Sequence, residues 1–194
     1  MRHLDWSGIQ GRLQRLATEC PGIFHGSVLV GGAACWFYRI QLEKRASPDF
    51  PPPALTEVDA GLWLSKDIDF ANLPEATPQL PLVGRLQFGV RLSASDFLEN
   101  ARTATIGGVT LLVADALDLL KEKQACCAKL GRPQDFLHKT TLEAFVSLDL
   151  ADRVAAAAQD PARAPSYWQR KSLIHIYAPE LLARNPLNAI IAKF

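Results

Sequence analysis

The sequence predicts an α/β protein: a small mixed β-sheet flanked by helices, followed by a helical C-terminal part. Two observations lead to this fold class. Short apolar runs such as 26–32 alternate with segments such as 6–18, in which apolar residues recur at helical spacing, and glycine or proline separates them. From Leu150 onward the strand-like runs stop and an alanine-rich helical pattern follows, with a break around 161–165.

Length and composition limit the domain organisation and the class of partner. The 194 residues, 48% of them hydrophobic, are enough for one good core but short for two full domains. We therefore expect a main domain over 1–147 and a helical extension over 148–194. The net charge of +1 and the pI near 7.7 give no overall attraction for polyanions, so contact with nucleic acid needs a local basic patch.

The cysteine spacing and the apolar runs indicate a reduced, cytoplasmic protein. The N-terminus has no basic segment followed by an apolar one, and no apolar run approaches the length of a membrane span. We therefore expect no contact with a membrane. The four cysteines match neither paired zinc-ligand motifs nor a secreted disulfide framework: Cys20, Cys35, Cys126 and Cys127.

The first third of the chain predicts a helix, a strand and a second helix before an interruption. Apolar residues at helical spacing predict a helix over 6–18, which ends before Pro21. The run 26–32 predicts a strand that closes in a tight glycine turn, with a helix after it. Four prolines and several charges in 43–61 predict a loop or an inserted excursion.

Strands and helices alternate in the segment that follows. Strands are predicted over 61–70 and 82–92, and a short helix over 93–101 with Ser93 or Ser95 as its N-cap. Two further strands in 103–113 are joined by a hairpin turn at Gly107-Gly108. The last predicted helices run from Asp115 to Gly131, with Leu117, Leu120, Gln124 and Cys127 on one face, and over about 135–147.

Two aspartates separated by one residue form the first candidate site. Alternation along a strand places the carboxylates of Asp67 and Asp69 on one face and Ile68 on the other. Carboxylates held this closely repel each other, and a divalent cation relieves the repulsion. Hard oxygen ligands suit Mg²⁺ or Mn²⁺, which in turn bind substrate phosphates. The same pattern also fits a solvated strand end, so both interpretations stay open.

A glycine pair forms the second candidate site. Gly31 and Gly32 have no Cβ, so the backbone can approach a phosphate closely, and the helix that follows offers aligned N–H groups at its start. An ordinary tight turn between a strand and a helix has the same pattern. The aromatic residues Trp36, Phe37 and Tyr38 could stack on a base, but core packing behind the turn is the favoured interpretation.

Four motifs, taken together and in this order, resemble one known family. They lie within residues 26–147 and are similar to the nucleotidyltransferase superfamily, specifically the AbiEii-like and minimal nucleotidyltransferases of bacterial toxin–antitoxin and phage-defence systems. The motifs are Leu29-Val-Gly-Gly-Ala-Ala34, Ser65-Lys-Asp-Ile-Asp-Phe70, Asp118-Leu-Leu-Lys-Glu-Lys123 and Gly131-Arg-Pro-Gln-Asp135.

The resemblance implies an enzyme that transfers a nucleoside monophosphate from an NTP to an acceptor hydroxyl of a protein, a tRNA or a small molecule. It implies that Asp67 and Asp69 are catalytic and hold Mg²⁺ or Mn²⁺. It also implies a cognate toxin or antitoxin protein as a partner. The substrate-binding residues that it implies are Gly31, Gly32, Ser65, Lys123 and Arg132, with Asp135 as support.

Three features depart from the family pattern. The gap between the glycine pair and Asp67 is long, which implies an insertion at 43–61. A third carboxylate is expected on a later strand, but 82–92 contains none; Asp59, Asp96 and Glu99 are the acidic residues nearest in sequence. The second aspartate expected after the Gly-Arg-x-x-Asp turn is His138 in this chain. The alternative function is therefore a catalytically degenerate nucleotide-binding or protein-interaction module.

Overall fold

The computed structural model describes residues 4–45, 61–63, 65–74 and 81–159. Most of the predicted insertion at 43–61 and the part of the predicted extension beyond residue 159 lie outside these ranges. The chain divides into two compact units, with the boundary between Leu142 and Glu143. The first unit contains the sheet and all of the candidate site residues. No helix in the described ranges is both long and apolar enough to cross a membrane.

The described residues form five helices and five strands, so the fold is mixed α/β. The helices are α1 (Trp6–Glu19), α2 (Gly31–Lys44), α3 (Ala94–Glu99), α4 (Ala116–Leu130) and α5 (Pro133–Gln159). The strands are β1 (Val28–Leu29), β2 (Ile68–Ala71), β3 (Val83–Leu86), β4 (Arg102–Ile106) and β5 (Val109–Val113).

The strands form one mixed sheet in the order β3-β2-β1-β5-β4. The central strand β1 runs antiparallel to β2 and parallel to β5. On one side β3 pairs parallel with β2, and on the other β4 and β5 form the predicted hairpin around Gly107-Gly108. Helix α2 packs against β2 and α4, and its first residue, Gly31, lies against Asp69 of β2.

Local sequence explains where three of the helices begin. The Asp5 side chain accepts a hydrogen bond from the Gly8 N–H at the start of α1, and Asp115 does the same for the Leu117 N–H at the start of α4. Ser93 and Asp96 form a capping box at the start of α3. Helix α4 ends at Gly131, whose φ of 62° is the left-handed conformation that glycine adopts without steric cost.

Three predicted elements differ from the structure in extent. The predicted strand 61–70 is wrong in its first part, because residues 61–62 are helical and β2 begins only at Ile68. The predicted strand 82–92 is wrong in its second half, because β3 ends at Leu86 and the backbone then leaves the ladder. The predicted helix 135–147 is too short, because α5 runs unbroken from Pro133 to Gln159. Its alanine-rich second half favours helix as strongly as its first half, so no local feature stops it at 147.

The predicted inner face of α4 is also wrong in part. Leu120 is buried, but Leu117, Gln124 and Cys127 are only half-buried. The buried residues that define the true inner face are Ala116, Asp118, Leu119, Leu120, Glu122, Lys123 and Cys126. Charged residues lie on this face because each has a nearby partner, which hydrophobic periodicity cannot indicate.

The loop after β3 is held by one carboxylate instead of by strand pairing. Glu122 Oε2 accepts the backbone N–H groups of Arg91 and Leu92, each at 3.0 Å, and Oε1 accepts that of Val90. Glu122 is only 8% exposed, so these bonds are shielded from water. The carboxylate therefore ties this loop to α4 and replaces the ladder bonds that a longer β3 would make.

We expect Glu122→Gln to lower the free energy of unfolding by about 2 kcal/mol, because one acceptor oxygen becomes an NH₂ group facing backbone donors. Urea denaturation monitored by circular dichroism measures this change. Glu99→Gln, at an exposed position of α3, is the control and is expected to change stability little. Equal stability of the Glu122 variant and the native chain would contradict the assigned role.

Candidate functional site

The start of α2 is a helix terminus without a side-chain cap. The N-cap residue is Val30, which makes no capping hydrogen bond, whereas α1, α3 and α4 all have capping side chains. Gly31 is the first helical residue, with φ +65°, so the glycine pair lies in the first turn of the helix and not in a turn before it. Uncapped N–H groups and the helix dipole together favour an anion at this position.

Asp69 lies directly against this helix start. Its backbone oxygen accepts the Val30 N–H at 2.9 Å, which ties β2 to the end of β1. Its carboxylate Oδ2 lies 2.6 Å from the position that a Cβ would take at Gly31. Gly31 and Asp69, which the family resemblance assigns to one site, are therefore in contact, and the contact requires glycine at position 31.

Gly84 also belongs to this arrangement, although it is not among the site residues predicted from the sequence. Gly84 is paired with Asp69 in the parallel register of β2 and β3, so both residues face the same side of the sheet. Asp69 Oδ1 occupies the space that a Cβ of Gly84 would fill. The carboxylate thus lies between two glycines from different segments, Gly31 and Gly84. Nothing in the local spacing of residues 82–92 indicates this register.

Ser65 lies beside the same helix start, and Asp67 is close enough to Asp69 for its charge to act on that carboxylate. Asp67 is exposed, just before β2, and the Ser65 hydroxyl donates to its backbone oxygen at 2.6 Å. Ser65 Oγ also lies 3.5 Å from the Cβ position of Gly32. Burial, and secondly the charge of Asp67, raise the pKa of Asp69 to about 6, while the charge of Lys123 opposes this rise.

An ion-pair network is centred on the buried carboxylate of Asp135, with Lys123 buried and Arg132 exposed. Lys123 Nζ and Arg132 Nε each donate to one oxygen of the Asp135 carboxylate at 2.7 Å, and Asp135 is fully buried. Burial raises the pKa of Asp135, but the hydrogen bonds from Arg132 and Lys123 outweigh it, so the pKa lies below its usual value. Arg132 and Asp135 therefore support Lys123, whose charge acts on Asp69.

The ammonium of Lys123 is buried and charged. Burial lowers the pKa of Lys123, but the neighbouring Cys35 sulfur and the hydrogen bond to Asp135 outweigh this effect, and the pKa is raised. The Lys123 side chain is only 10% exposed, whereas that of Lys121 is 33% exposed and pairs with Asp118. The two lysines of the Lys-Glu-Lys motif thus point in different directions, as their spacing on a helix requires.

His138 occupies the position at which the family resemblance implies a second aspartate. Its imidazole packs against Trp63 with ring centroids 4.8 Å apart, and its Cε1 lies 3.5 Å from the Cβ position of Gly32. Burial, and secondly the charge of Lys123, lower the pKa of His138 to about 3. The imidazole is therefore neutral near pH 7 and forms an uncharged wall beside the glycine pair.

The donor set fits a divalent cation that shares its coordination with a ligand. Asp67 and Asp69 supply two carboxylates, and Mg²⁺ in proteins is commonly bound by one or two carboxylates together with substrate phosphates. Within the described ranges, no group of three acidic, histidine or cysteine side chains is placed to hold a metal. Asp96 caps its own helix, and Asp59 lies outside those ranges.

Comparison with protein-family models, with curated proteins and with solved structures gives no match to this chain. The function of this chain is therefore inferred from the geometry of the site and from the sequence motifs.

We expect Gly84→Ala to lower the free energy of unfolding by about 1–3 kcal/mol, because the new methyl group overlaps the Asp69 carboxylate. In an Asp69→Ala background, Gly84→Ala is expected to lower the free energy of unfolding by less than half of this amount, because the overlapping carboxylate oxygen is absent. Denaturation of the four members of this double-mutant cycle gives the coupling. Gly11→Ala, where a Cβ meets nothing within 4 Å, is the control; equal costs in both backgrounds would refute the packing.

We expect acid to destabilise the protein through His138. The folded pKa of about 3 is below the usual 6.5, so below pH 6.5 the unfolded chain binds a proton that the folded chain excludes. The stability contributed by the neutral imidazole is complete above pH 6.5 and is lost as pH falls towards 3. At pH 5 the loss in the free energy of unfolding is about 2 kcal/mol. His138→Phe should remove this part of the pH dependence of unfolding, measured by urea titration from pH 7 to 4.

Other groups also titrate in this range, including Asp69, and the charges of Lys123, Asp135 and Arg132 act on His138. The quantity to compare is therefore the slope of the free energy of unfolding against pH, in the native chain and in His138→Phe. The same substitution at the exposed His25 is the control for losing a histidine elsewhere. Parallel profiles for the native chain and His138→Phe would show that the buried imidazole does not resist protonation.

Proposed function

We propose that this chain is a metal-dependent nucleotidyltransferase, which moves a nucleoside monophosphate from an NTP to an acceptor hydroxyl and releases pyrophosphate. The observation that carries the proposal is the contact between Asp69 and Gly31, because it brings a metal-binding carboxylate to an uncapped helix start. A triphosphate at the N–H groups of Gly31 and Gly32 places its oxygens beside Asp69, with Asp67 before the same strand.

The charge balance of the site supports a divalent cation as cofactor. Asp67 and Asp69 repel each other and would repel a phosphate, and the buried Lys123 is already paired with Asp135. Mg²⁺ or Mn²⁺ held by Asp67 and Asp69 would neutralise this charge and polarise the phosphoryl oxygens. Lys123 adds a fixed positive charge behind the site, and Ser65 positions the backbone that precedes Asp69.

The acceptor is the part of the proposal that depends on the resemblance alone. A protein, a tRNA and a small molecule all carry the hydroxyl that nucleotidyl transfer needs. A cognate toxin or antitoxin protein is a partner that the same resemblance implies. None of the described contacts distinguishes among these acceptors, so the experiment must offer them all.

A second candidate function is nucleotide binding without turnover. It is favoured by the composition of the strand beside β2, since the residue paired with Asp69 on β3 is Gly84 and β3 contains no acidic residue. The role that a third carboxylate would have, in completing a metal site or deprotonating the acceptor, is then left to Asp59, outside the described ranges, or is lost.

We expect the Asp67→Asn/Asp69→Asn double variant to lose Mn²⁺-dependent NTP binding and to stay folded, because removing two repelling charges does not destabilise the site. Calorimetric titration of each NTP in the presence of Mn²⁺ measures binding, and circular dichroism measures folding. Glu19→Gln, at the exposed end of α1, is the control for loss of a carboxylate. Unchanged nucleotide affinity in the double variant would place the site elsewhere.

Turnover separates the two functions. The native protein is incubated with Mn²⁺ and each labelled NTP, alone and with total RNA or with cell lysate, and released pyrophosphate and labelled acceptors are measured. Binding with pyrophosphate release supports the transferase, and binding without it supports the second candidate. Failure of the native protein to bind any NTP would overturn both.

A further inference from the structure

Three unpartnered polar atoms cluster beside the glycine pair. Among the described residues, four buried side-chain nitrogen or oxygen atoms have no hydrogen-bond partner: Arg12 Nε, Trp63 Nε1, His138 Nδ1 and Thr141 Oγ1. Arg12 still donates through its guanidinium to Pro81, which leaves three residues without any side-chain hydrogen bond. Each of the three is less than a tenth exposed: Trp63 3%, His138 5% and Thr141 0%.

These three residues are neighbours in the fold. The rings of Trp63 and His138 are in contact, with centroids 4.8 Å apart. His138 and Thr141 are three residues apart on α5, so their side chains lie on the same face, about 5–6 Å apart at Cβ. His138 Cε1 reaches to 3.5 Å from the Cβ position of Gly32, so the cluster adjoins the start of α2.

A buried polar atom without a partner is costly, and elsewhere in the described residues Arg12 Nε is the only other such side-chain atom. Three such atoms in neighbouring side chains lower the stability of the fold, which indicates that these residues have a role in binding a ligand. The cluster contains one obligate donor, the Trp63 N–H, and two groups that can donate or accept. It contains no charge, because the His138 imidazole is neutral near pH 7. A complementary ligand group is thus uncharged and has at least one acceptor oxygen or nitrogen.

We propose that Trp63, His138 and Thr141 form a recognition subsite for the uncharged nucleoside part of the nucleotide, next to the phosphate position at Gly31 and Gly32. This inference rests on the proposed function, since it takes the phosphates to bind at the glycine pair. A ribose hydroxyl and a nucleobase carbonyl both have the acceptor that Trp63 requires. Their shared chemistry, an uncharged hydrogen-bonding oxygen, defines the ligand group.

Access to the subsite requires a movement of Trp63. The three polar atoms are enclosed, so a ligand group reaches them only when the Trp63 ring moves away from His138. Trp63 is a turn residue directly after the helical residues 61–62, and it lies in no strand of the sheet. The ring would then contact the bound nucleoside, and its Nε1 would donate to the ligand.

The test uses three substitutions that remove the polar side-chain atoms: Thr141→Val, Trp63→Phe and His138→Phe. Thr141→Val keeps the shape of the side chain, so removing this unpartnered buried hydroxyl should leave the melting temperature of the ligand-free protein unchanged or higher. The same changes should weaken Mn²⁺-dependent NTP binding by about three- to tenfold each, the loss of one hydrogen bond to a neutral group. Calorimetry and thermal denaturation measure the two quantities on the full chain.

Neighbouring residues provide matched controls. Thr140→Val removes the exposed hydroxyl that bonds to Phe136 within α5, and Trp36→Phe changes the half-buried tryptophan that packs on Trp63. Both variants should keep the native affinity for NTP.

A 2′,3′-dideoxynucleotide shows whether the oxygen that the subsite binds belongs to the ribose or to the nucleobase. If the subsite binds ribose, this nucleotide binds more weakly to the native protein and Thr141→Val weakens it no further; if it binds the base, the variant weakens both nucleotides alike.

The outcomes distinguish this inference from the proposed function. Native NTP binding with weaker binding by the three variants and unchanged binding by the controls supports the subsite. Native NTP binding with equal affinity in all three variants overturns the subsite and leaves the proposed function intact. Lower melting temperatures of all three variants without ligand, with unchanged affinity, would assign the cluster a structural role. Absence of NTP binding by the native protein overturns both.

Discussion

The packing of one carboxylate between two glycines is the constraint on which the site depends. Asp69 lies against Gly31 at the start of α2 and against Gly84 on β3, while its backbone oxygen holds the end of β1. Three segments distant in sequence therefore meet at one side chain. Because neither glycine can gain a Cβ without displacing the carboxylate, the sheet register, the start of α2 and the position of Asp69 are fixed together.

The charges around Asp69 also determine the properties of the site. Burial and the nearby Asp67 raise the pKa of Asp69, so the carboxylate is held in an environment that favours its neutralisation by a proton or a cation. The positive charge of Lys123 lies behind it but is balanced by Asp135. A fixed ion pair of this kind contributes to the local field but has no unpaired charge to offer a phosphate, which is why the proposed function includes a metal ion.

The distribution of hydrogen bonds separates the scaffold from the site. In the scaffold, Asp5, Ser93 and Asp115 cap their helices and Glu122 satisfies three backbone donors. Around the glycine pair the pattern reverses: α2 starts without a side-chain cap, and three neighbouring side chains have polar atoms without partners. Local exceptions to hydrogen-bond satisfaction concentrate at functional sites, since groups that bind a ligand cannot also be saturated by the protein.

The sequence by itself determined the features that depend on near neighbours: the hairpin at Gly107-Gly108, the N-cap at Ser93, the end of α4 before Gly131, and the Asp67-x-Asp69 pair. Turn and cap chemistry acts over two to four residues, so local spacing is enough to predict it. Only the tertiary structure decided that β3 stops at Leu86, that Gly84 faces Asp69, and that Trp63, His138 and Thr141 cluster beside Gly32. These outcomes depend on strand register and on contacts between residues distant in sequence, which hydrophobic periodicity does not encode.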